Sequence, residues 1–301
     1  MNNPSTEFRA GHVAIVGRPN VGKSTLVNAW VGHALCSVAP RPQTTRHRIL
    51  GVVHREQAQI ALLDTPGLHD AKGGRALNRV TNRAAHTAIA EADVLVLLVE
   101  AGRWGSADSA ALKIAVASGC PIVLAINKID TQKSKPELLP FIAKCAKLHA
   151  FAALVPISAS RQDGLAELER VVIAALPTGE PLYDDDTLTD RSERFLAAEA
   201  IREQVMRQLS DELPYSAAVD IESFEEAGGE VKITANILVE RDGQKAIVIG
   251  KGGAMIKAIG TRARQAISDR LGRPAHVELN VRVRQGWADN EAALGKLGYN
   301  E

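Results

Sequence analysis

Several short stretches carry residues whose types and spacing could act on a phosphorylated nucleotide. Gly17, Arg18, Pro19, Asn20, Val21, Gly22, Lys23 and Ser24 fit the pattern GxxxxGK[ST], with Thr25 next in line. In such a loop the backbone N–H groups and the N-terminus of the following helix surround phosphate oxygens. Gly22 lets the backbone come close. Lys23 brings a point charge to the β- and γ-phosphates, and Ser24 offers its hydroxyl to Mg2+. Asp64, Thr65, Pro66 and Gly67 form a second stretch, DTPG, after an apolar run. An acid at a strand's end can hold Mg2+ through water, and the Gly67 amide can sense a γ-phosphate. Alone, DTPG would read as a turn. Downstream of Lys23 and after a second strand, it becomes specific.

Base choice is read from Asn127, Lys128, Ile129 and Asp130. A carboxylate such as Asp130 accepts from the ring N–H and the exocyclic amine of guanine. Adenine would leave it unpaired, and an unpaired buried polar group costs about 1–3 kcal/mol or more. Ser158 and Ala159, after the next strand, would place backbone amides beside the guanine carbonyl. The nucleotides expected are therefore GTP and GDP, with Mg2+.

The segment 42–46 reads PQTTR. One of its threonines should reach Mg2+ only when a γ-phosphate is present, the order–disorder logic of a switch. Spacing does not choose between Thr44 and Thr45; Thr45 is preferred. The position after the DTPG glycine, where many GTPases carry a catalytic glutamine, is Leu68, which cannot orient water. Slow turnover is expected, resting on Lys23, Gly67, Thr45 and Mg2+. Asn20 is a candidate ligand for a K+ ion standing in for an arginine finger. Its alternative is an asparagine that merely shapes the loop.

The elements that must hold these residues are legible as alternation. Continuous apolar runs at Ile60–Leu63, Val94–Val99 and Ile122–Ile126, with His12–Val16 and Leu154–Ile157, suit strands buried on both faces. Helix-length segments lie between them. This predicts an α/β domain over residues 1–176, with a mostly parallel sheet and helices on both faces. Residues 177–192 hold two prolines and three consecutive aspartates and read as a linker. Residues 193–301 form a second domain: a helix over Ser192–Ser210, strands at Ala217–Glu222, Val231–Val239 and His276–Val283, and a helix over Ala254–Leu271.

Composition narrows the classes. The chain has 301 residues, 46% of them apolar and 24% charged, with a net charge of +1. This suits an ordinary globular protein with no global pull toward nucleic acid. Cys36, Cys120 and Cys145 form no CxxC pair and read as reduced, hence cytoplasmic, thiols. The N-terminus shows no apolar signal segment, and no apolar run is long enough to span a bilayer. Charge is uneven, however. Between Arg241 and Arg284 there are ten Lys or Arg and three Asp or Glu. Inside this stretch Gly250, Lys251, Gly252 and Gly253 precede a helix, with Lys257 in its first turn. Such a GXXG loop clamps the backbone of single-stranded RNA in KH domains. Alone it would be a glycine-rich turn; the local basic excess favours RNA. Trp287 reads as a packing residue rather than a stacking platform.

Taken together, GRPNVGKST, PQTTRHRI, DTPGLH, NKID and ISA, followed by VERDGQKAIVIGKGGAMIKAIG and VRVRQGWADNEAALGKLGY, resemble the Era GTPase family from about Gly11 to Tyr299. The resemblance implies an assembly factor for the 30S ribosomal subunit. It also implies an α+β KH domain of type II topology that binds the 3′ region of 16S rRNA, and peripheral association with the inner membrane. A monomer is expected. Asn280 departs from the large apolar residue expected in the last strand. Two other readings stay open: a switch directed at a protein partner, and a GTPase of tRNA modification, against which the GXXG domain argues.

Overall fold

The computed structural model describes residues 7–41, 44–67, 76–132, 135–210 and 212–299. They divide into two compact units. The first holds a six-stranded sheet, β1 (Arg9–Val16), β2 (Ile49–Arg55), β3 (Ala58–Asp64), β4 (Val94–Glu100), β5 (Ile122–Asn127) and β6 (Ala153–Pro156). Its spatial order is β2-β3-β1-β4-β5-β6. Only the β2–β3 pair is antiparallel. Strands β1, β3, β4 and β5 are buried almost throughout, as their unbroken apolar runs require. Helices α1 (Lys23–Val31), α2 (Ala76–Ala90, in this unit from Asn82 on), α3 (Ser106–Ala117) and α4 (Leu138–Ala146) lie between strands, and α5 (Leu165–Ala175) follows β6. The parallel crossovers bring the C-terminal ends of β1, β3, β4, β5 and β6 to one edge, which is where ligands bind such sheets.

Strand β2 has no counterpart in the sequence reading. Gly51 interrupts its apolar pattern; a Cβ there would come within 2.8 Å of Val31 on α1, so close packing of the helix takes the place of a side chain. The stretch read as a linker is also more ordered than its composition suggests. The Gln59 side-chain oxygen accepts from Leu182 and Tyr183 N–H at 2.7 and 2.9 Å, and Val52 N donates to Leu188 O at 2.9 Å. Residues up to 190 thus run along the first unit.

The second unit gathers the described residues of 37–47, 71–81 and 191–299. Its sheet is β7 (Ala218–Ala227), β8 (Glu230–Val239) and β9 (Ala275–Val283), antiparallel then parallel. Helices α6 (Glu193–Gln208) and α8 (Ala254–Leu271) share a core with one face of it. Ser192 caps α6, accepting from Phe195 N at 3.3 Å. Helices α7 (Asp242–Ile249) and α9 (Glu291–Lys296) have no counterpart in the sequence reading either. Gln244 starts α7 by accepting from Glu240 and Arg241 N–H. Asn280 pairs in register with Asn236 on the outward row of β9, while Val281 takes the inward place; the strand alternates, which is why an amide replaces the apolar residue expected there. Trp287 is 1% exposed and donates to Ser216 O at 3.2 Å, a packing residue as read.

Candidate functional site

The first unit's site grows from strand ends. Strand β1 runs directly into the loop 17–22, and α1 starts at Lys23. The Lys23 ammonium donates to Gly17 O at 3.1 Å and Arg18 O at 3.2 Å, so the lysine curls back over its own loop. Burial lowers its pKa to about 8; the Asp64 carboxylate opposes that and Arg18 adds to it. A buried cation held this way is poised for an anionic ligand. Gly22 has φ 103°, and a Cβ there would lie 2.4 Å from Asn127 Nδ2, so only glycine permits the approach. Asn20 also sits in the left-handed region, at φ 62°, which asparagine tolerates. Pro19, Val21 and Thr25 complete the loop and first turn, Val21 fully buried.

Asp64 ends β3 and is fully buried. Ser24 Oγ donates to its Oδ2 at 2.7 Å. Hydroxyl and carboxylate oxygens side by side are hard donors of the kind Mg2+ takes, so these residues fit that metal. Thr65 Oγ1 donates to Ile15 O at 2.7 Å, tying the DTPG segment to β1. Gly67 follows Pro66 and lies against the phosphate loop; a Cβ there would meet Pro19 Cγ at 2.9 Å. Leu68 falls outside the described residues.

Asn127 links three loops. Its Nδ2 donates to Val21 O at 2.8 Å, its Oδ1 accepts from Ala159 N at 2.9 Å, and its backbone carbonyl accepts from Ala101 N at 2.8 Å. Lys128 adopts φ 65°, and Ile129 N donates to Ile157 O at 3.2 Å. Ser158 Oγ donates to Asp130 Oδ1 at 2.6 Å, which aims the carboxylate. The loop 17–24, Asp64, the 127–130 stretch and the 158–159 amides therefore converge on one edge of the sheet. Glu100 at the end of β4 and Asp108 in α3 both engage Arg18. No motif marks them; only the sheet order brings β4 beside β1.

Thr44 and Thr45 are placed differently. Both belong to 37–47, in the second unit; Thr44 Oγ1 donates to Arg41 O at 2.7 Å. Within that unit Arg46 is 3% exposed and donates to Pro214 O, Tyr215 O and Ala217 O. His47 stacks on Tyr299 at 4.4 Å, with Nδ1 3.1 Å from Gly298 O and Nε2 3.8 Å from Glu199.

Gly250–Gly253 joins α7 to α8. Gly250, Gly252 and Gly253 all have positive φ, at 74°, 60° and 79°. The loop presents its backbone just before a helix N-terminus. Of the ten basic residues between 241 and 284, Arg270, Arg273 and Arg282 are engaged by Glu203, by Glu193 and Glu226, and by Glu222. Lys251, Lys257, Arg262 and Arg264 are exposed along the loop and α8, and Ile247 beside them is 57% exposed. A charged surface edged by an apolar side chain suits phosphates and bases together.

Comparison with known proteins agrees with this geometry. A family model described as 50S ribosome-binding GTPase matches residues 12–128, and a KH domain model matches residues 212–288. The chain is 51% identical to GTPase Era of Stenotrophomonas maltophilia (strain K279a) over 294 residues, covering 98% of each chain. It is 48% identical to GTPase Era of Xanthomonas axonopodis pv. citri (strain 306) over 299 residues, 99% of this chain and 100% of the relative. Among solved structures, an Aquifex aeolicus Era variant bound to GDP·AlF4− matches with a TM-score of 0.94 and 37% identity, over 98% of this chain and 100% of that one. The same values hold for Era in complex with MgGDPNP and nucleotides 1506–1542 of 16S ribosomal RNA.

Proposed function

The chain belongs to the Era family of GTPases, and from that premise we propose that its nucleotide cycle controls the grip of its KH loop on the 3′ region of 16S rRNA during 30S assembly. It is a GTPase, with GTP and GDP as nucleotides and Mg2+ as metal. The observation that carries the proposal is the presence in one chain of the convergent site around Lys23 and Asp130 and the exposed basic GXXG loop at Gly250–Gly253.

Bound Mg2+ supplies charge neutralisation at the β- and γ-phosphate oxygens. Ser24 and Asp64 would hold it, with Thr45 as the ligand gained in the GTP state. Lys23 and the amides of the loop 17–25 bind the phosphates; the Gly67 amide senses the γ-phosphate. Asn127, Lys128, Ile129 and Asp130 read guanine, helped by Ser158 and Ala159. With Leu68 where a glutamine would stand, hydrolysis is slow. Asn20 would hold a K+ ion beside the phosphates. Comparing hydrolysis in K+ and Na+ for wild type and Asn20→Ala tests that role; equal rates throughout would leave Asn20 as a loop-shaping residue.

The central experiment measures binding of a 3′-terminal 16S rRNA fragment to the full chain with a GTP analogue and with GDP. Tighter binding in one state is expected. No binding in either state would sink the RNA reading and leave a switch directed at a protein partner. A monomeric, cytoplasmic protein attached peripherally to the inner face of the membrane belongs to the same proposal, and sedimentation and cell fractionation test it. Among the described residues, no helix is long and apolar enough to cross a membrane.

A further inference from the structure

We infer that Glu100 is a positioning residue of the nucleotide site, holding Arg18 of the phosphate loop and Lys128 of the base-reading loop on one carboxylate. Glu100 is the last residue of β4, and its register partner is Asn127, the last of β5. That pairing puts its side chain at the edge where β1 gives way to the phosphate loop. Glu100 Oε2 accepts from Arg18 Nη2 at 2.5 Å and lies 3.5 Å from Lys128 Nζ. Asp108 meets Arg18 from the other side. Its Oδ1 is 3.3 Å from Arg18 Nε, while its Oδ2 accepts from Gly105 N at 2.9 Å and is thereby fixed to the start of α3. Arg18 is thus held between two carboxylates carried by rigid elements.

The consequence reaches the phosphate subsite. The backbone carbonyl of Arg18 accepts from the Lys23 ammonium, so holding Arg18 also holds the acceptor that aims Lys23. At the base subsite, Lys128 leaves the strand with φ 65°, and its ammonium meets Glu100. Asn127 already joins the two loops through the backbone of Val21. Glu100 adds a second tie, through side chains, at the positions flanking where phosphate and base must both be reached. The side chains of Glu100 and Lys128 are 26% and 33% exposed, a setting where ion pairs add little to stability. Their value lies in preorganisation: a ligand bound to both loops loses less affinity when the loops are already spaced for it.

The inference rests on the nucleotide reading above, and wild-type GDP binding is the control that separates the two. Kd and dissociation rate for GDP and for IDP are measured on the full chain for wild type, Arg18→Ala, Lys128→Ala and the Arg18→Ala/Lys128→Ala double. The same set is repeated in the Glu100→Gln background. Glu100→Gln alone should weaken GDP by about three- to tenfold, mostly through faster release. IDP should weaken by the same factor, because it lacks only the amine that Asp130 reads. With Glu100 present, the Arg18 and Lys128 effects should depart from additivity by at least about fivefold. In the Glu100→Gln background, where the shared charge is gone, they should add within about twofold. Additive effects in the presence of Glu100, or unchanged GDP binding in Glu100→Gln, would overturn the inference. Should Glu100→Gln fail to fold, the Arg18–Lys128 cycle in wild type decides alone, and a coupling below about twofold overturns it.

Discussion

Asp130 receives the Ser158 hydroxyl at 2.6 Å on one oxygen, which restrains the carboxylate's rotation without neutralising it. Guanine reading at this position should therefore depend on the carboxylate as acceptor. Asp130→Asn replaces one acceptor by a donor of the same shape and should shift preference toward xanthine nucleotides; competition of GDP and XDP for the variant checks this, and unchanged guanine selectivity would count against the role. Lys23 makes a second prediction at this scale. Burial holds its pKa near about 8, against an ordinary 10.5, while a bound polyphosphate favours the charged form. The nucleotide-bound state therefore holds the proton more tightly than the unliganded one. GDP affinity should be level below about pH 8 and fall above it, approaching tenfold per pH unit. Titrating Kd from pH 7 to 9.5 tests this, and a flat profile would contradict it.

Elements convert these residues into sites. The parallel sheet needs no special side chain to bring Lys23, Asp64, Glu100, Asn127 and Ser158 together; strand order does so, because each lies at or just beyond a strand's C-terminal end. In the second unit the element that matters is the turn between α7 and α8. Its three glycines hold left-handed φ values and leave the backbone bare in front of α8, with Lys251 exposed. Replacing Lys251 and Gly252 together by Asp should repel phosphate and strain the turn. RNA affinity should fall by at least about tenfold, since two negative charges enter and one positive is lost, while the rate of GTP hydrolysis without RNA stays unchanged. Filter binding and phosphate release measured on the same preparation separate the two outcomes.

At the scale of the whole molecule, the second unit is discontinuous in sequence. The described residues of 37–47, which include both candidate switch threonines, group with α6 and the last described residues, through Ser37 and His47. His47 makes this unit sensitive to pH. Burial lowers its pKa to about 4, against the pull of Glu199 and with the push of Arg202 and Arg191. Glu199 titrates near about 2: burial opposes its charge, but Arg202, His47 and Ser37 outweigh that. Both groups are depressed, so both contribute stability that is lost as pH falls. For His47 the loss begins below its unfolded value near 6.5 and continues toward 4; for Glu199 it follows from about 4.5 downward. Acidification from pH 7 to 5 should cost the unit on the order of 2 kcal/mol through His47. Thermal melts across that range, compared between wild type and His47→Gln, measure it; an equal slope in both would remove His47 as the cause.

The chemistry of this protein is legible in its sequence because it lies in short contiguous stretches. The phosphate-loop pattern, DTPG, NKID and GXXG are each made of neighbouring residues, so spacing alone singles them out as candidates, and unbroken apolar runs announce the buried strands beside them. What only the tertiary structure decided depends on partners far apart in the chain. Glu100 and Asp108 reach Arg18 across 82 and 90 positions, a distance over which no motif extends. Strand β2 hides behind Gly51, whose missing side chain makes sense only against Val31. The acidic, proline-bearing stretch after residue 176 reads as unpacked, because composition does not reveal that Gln59 holds its backbone. That the described residues around Thr45 group with the second unit follows from buried Arg46 and His47, whose partners lie among residues 195–299. Local chemistry follows from local sequence; which distant groups share a charge or a core follows from the fold.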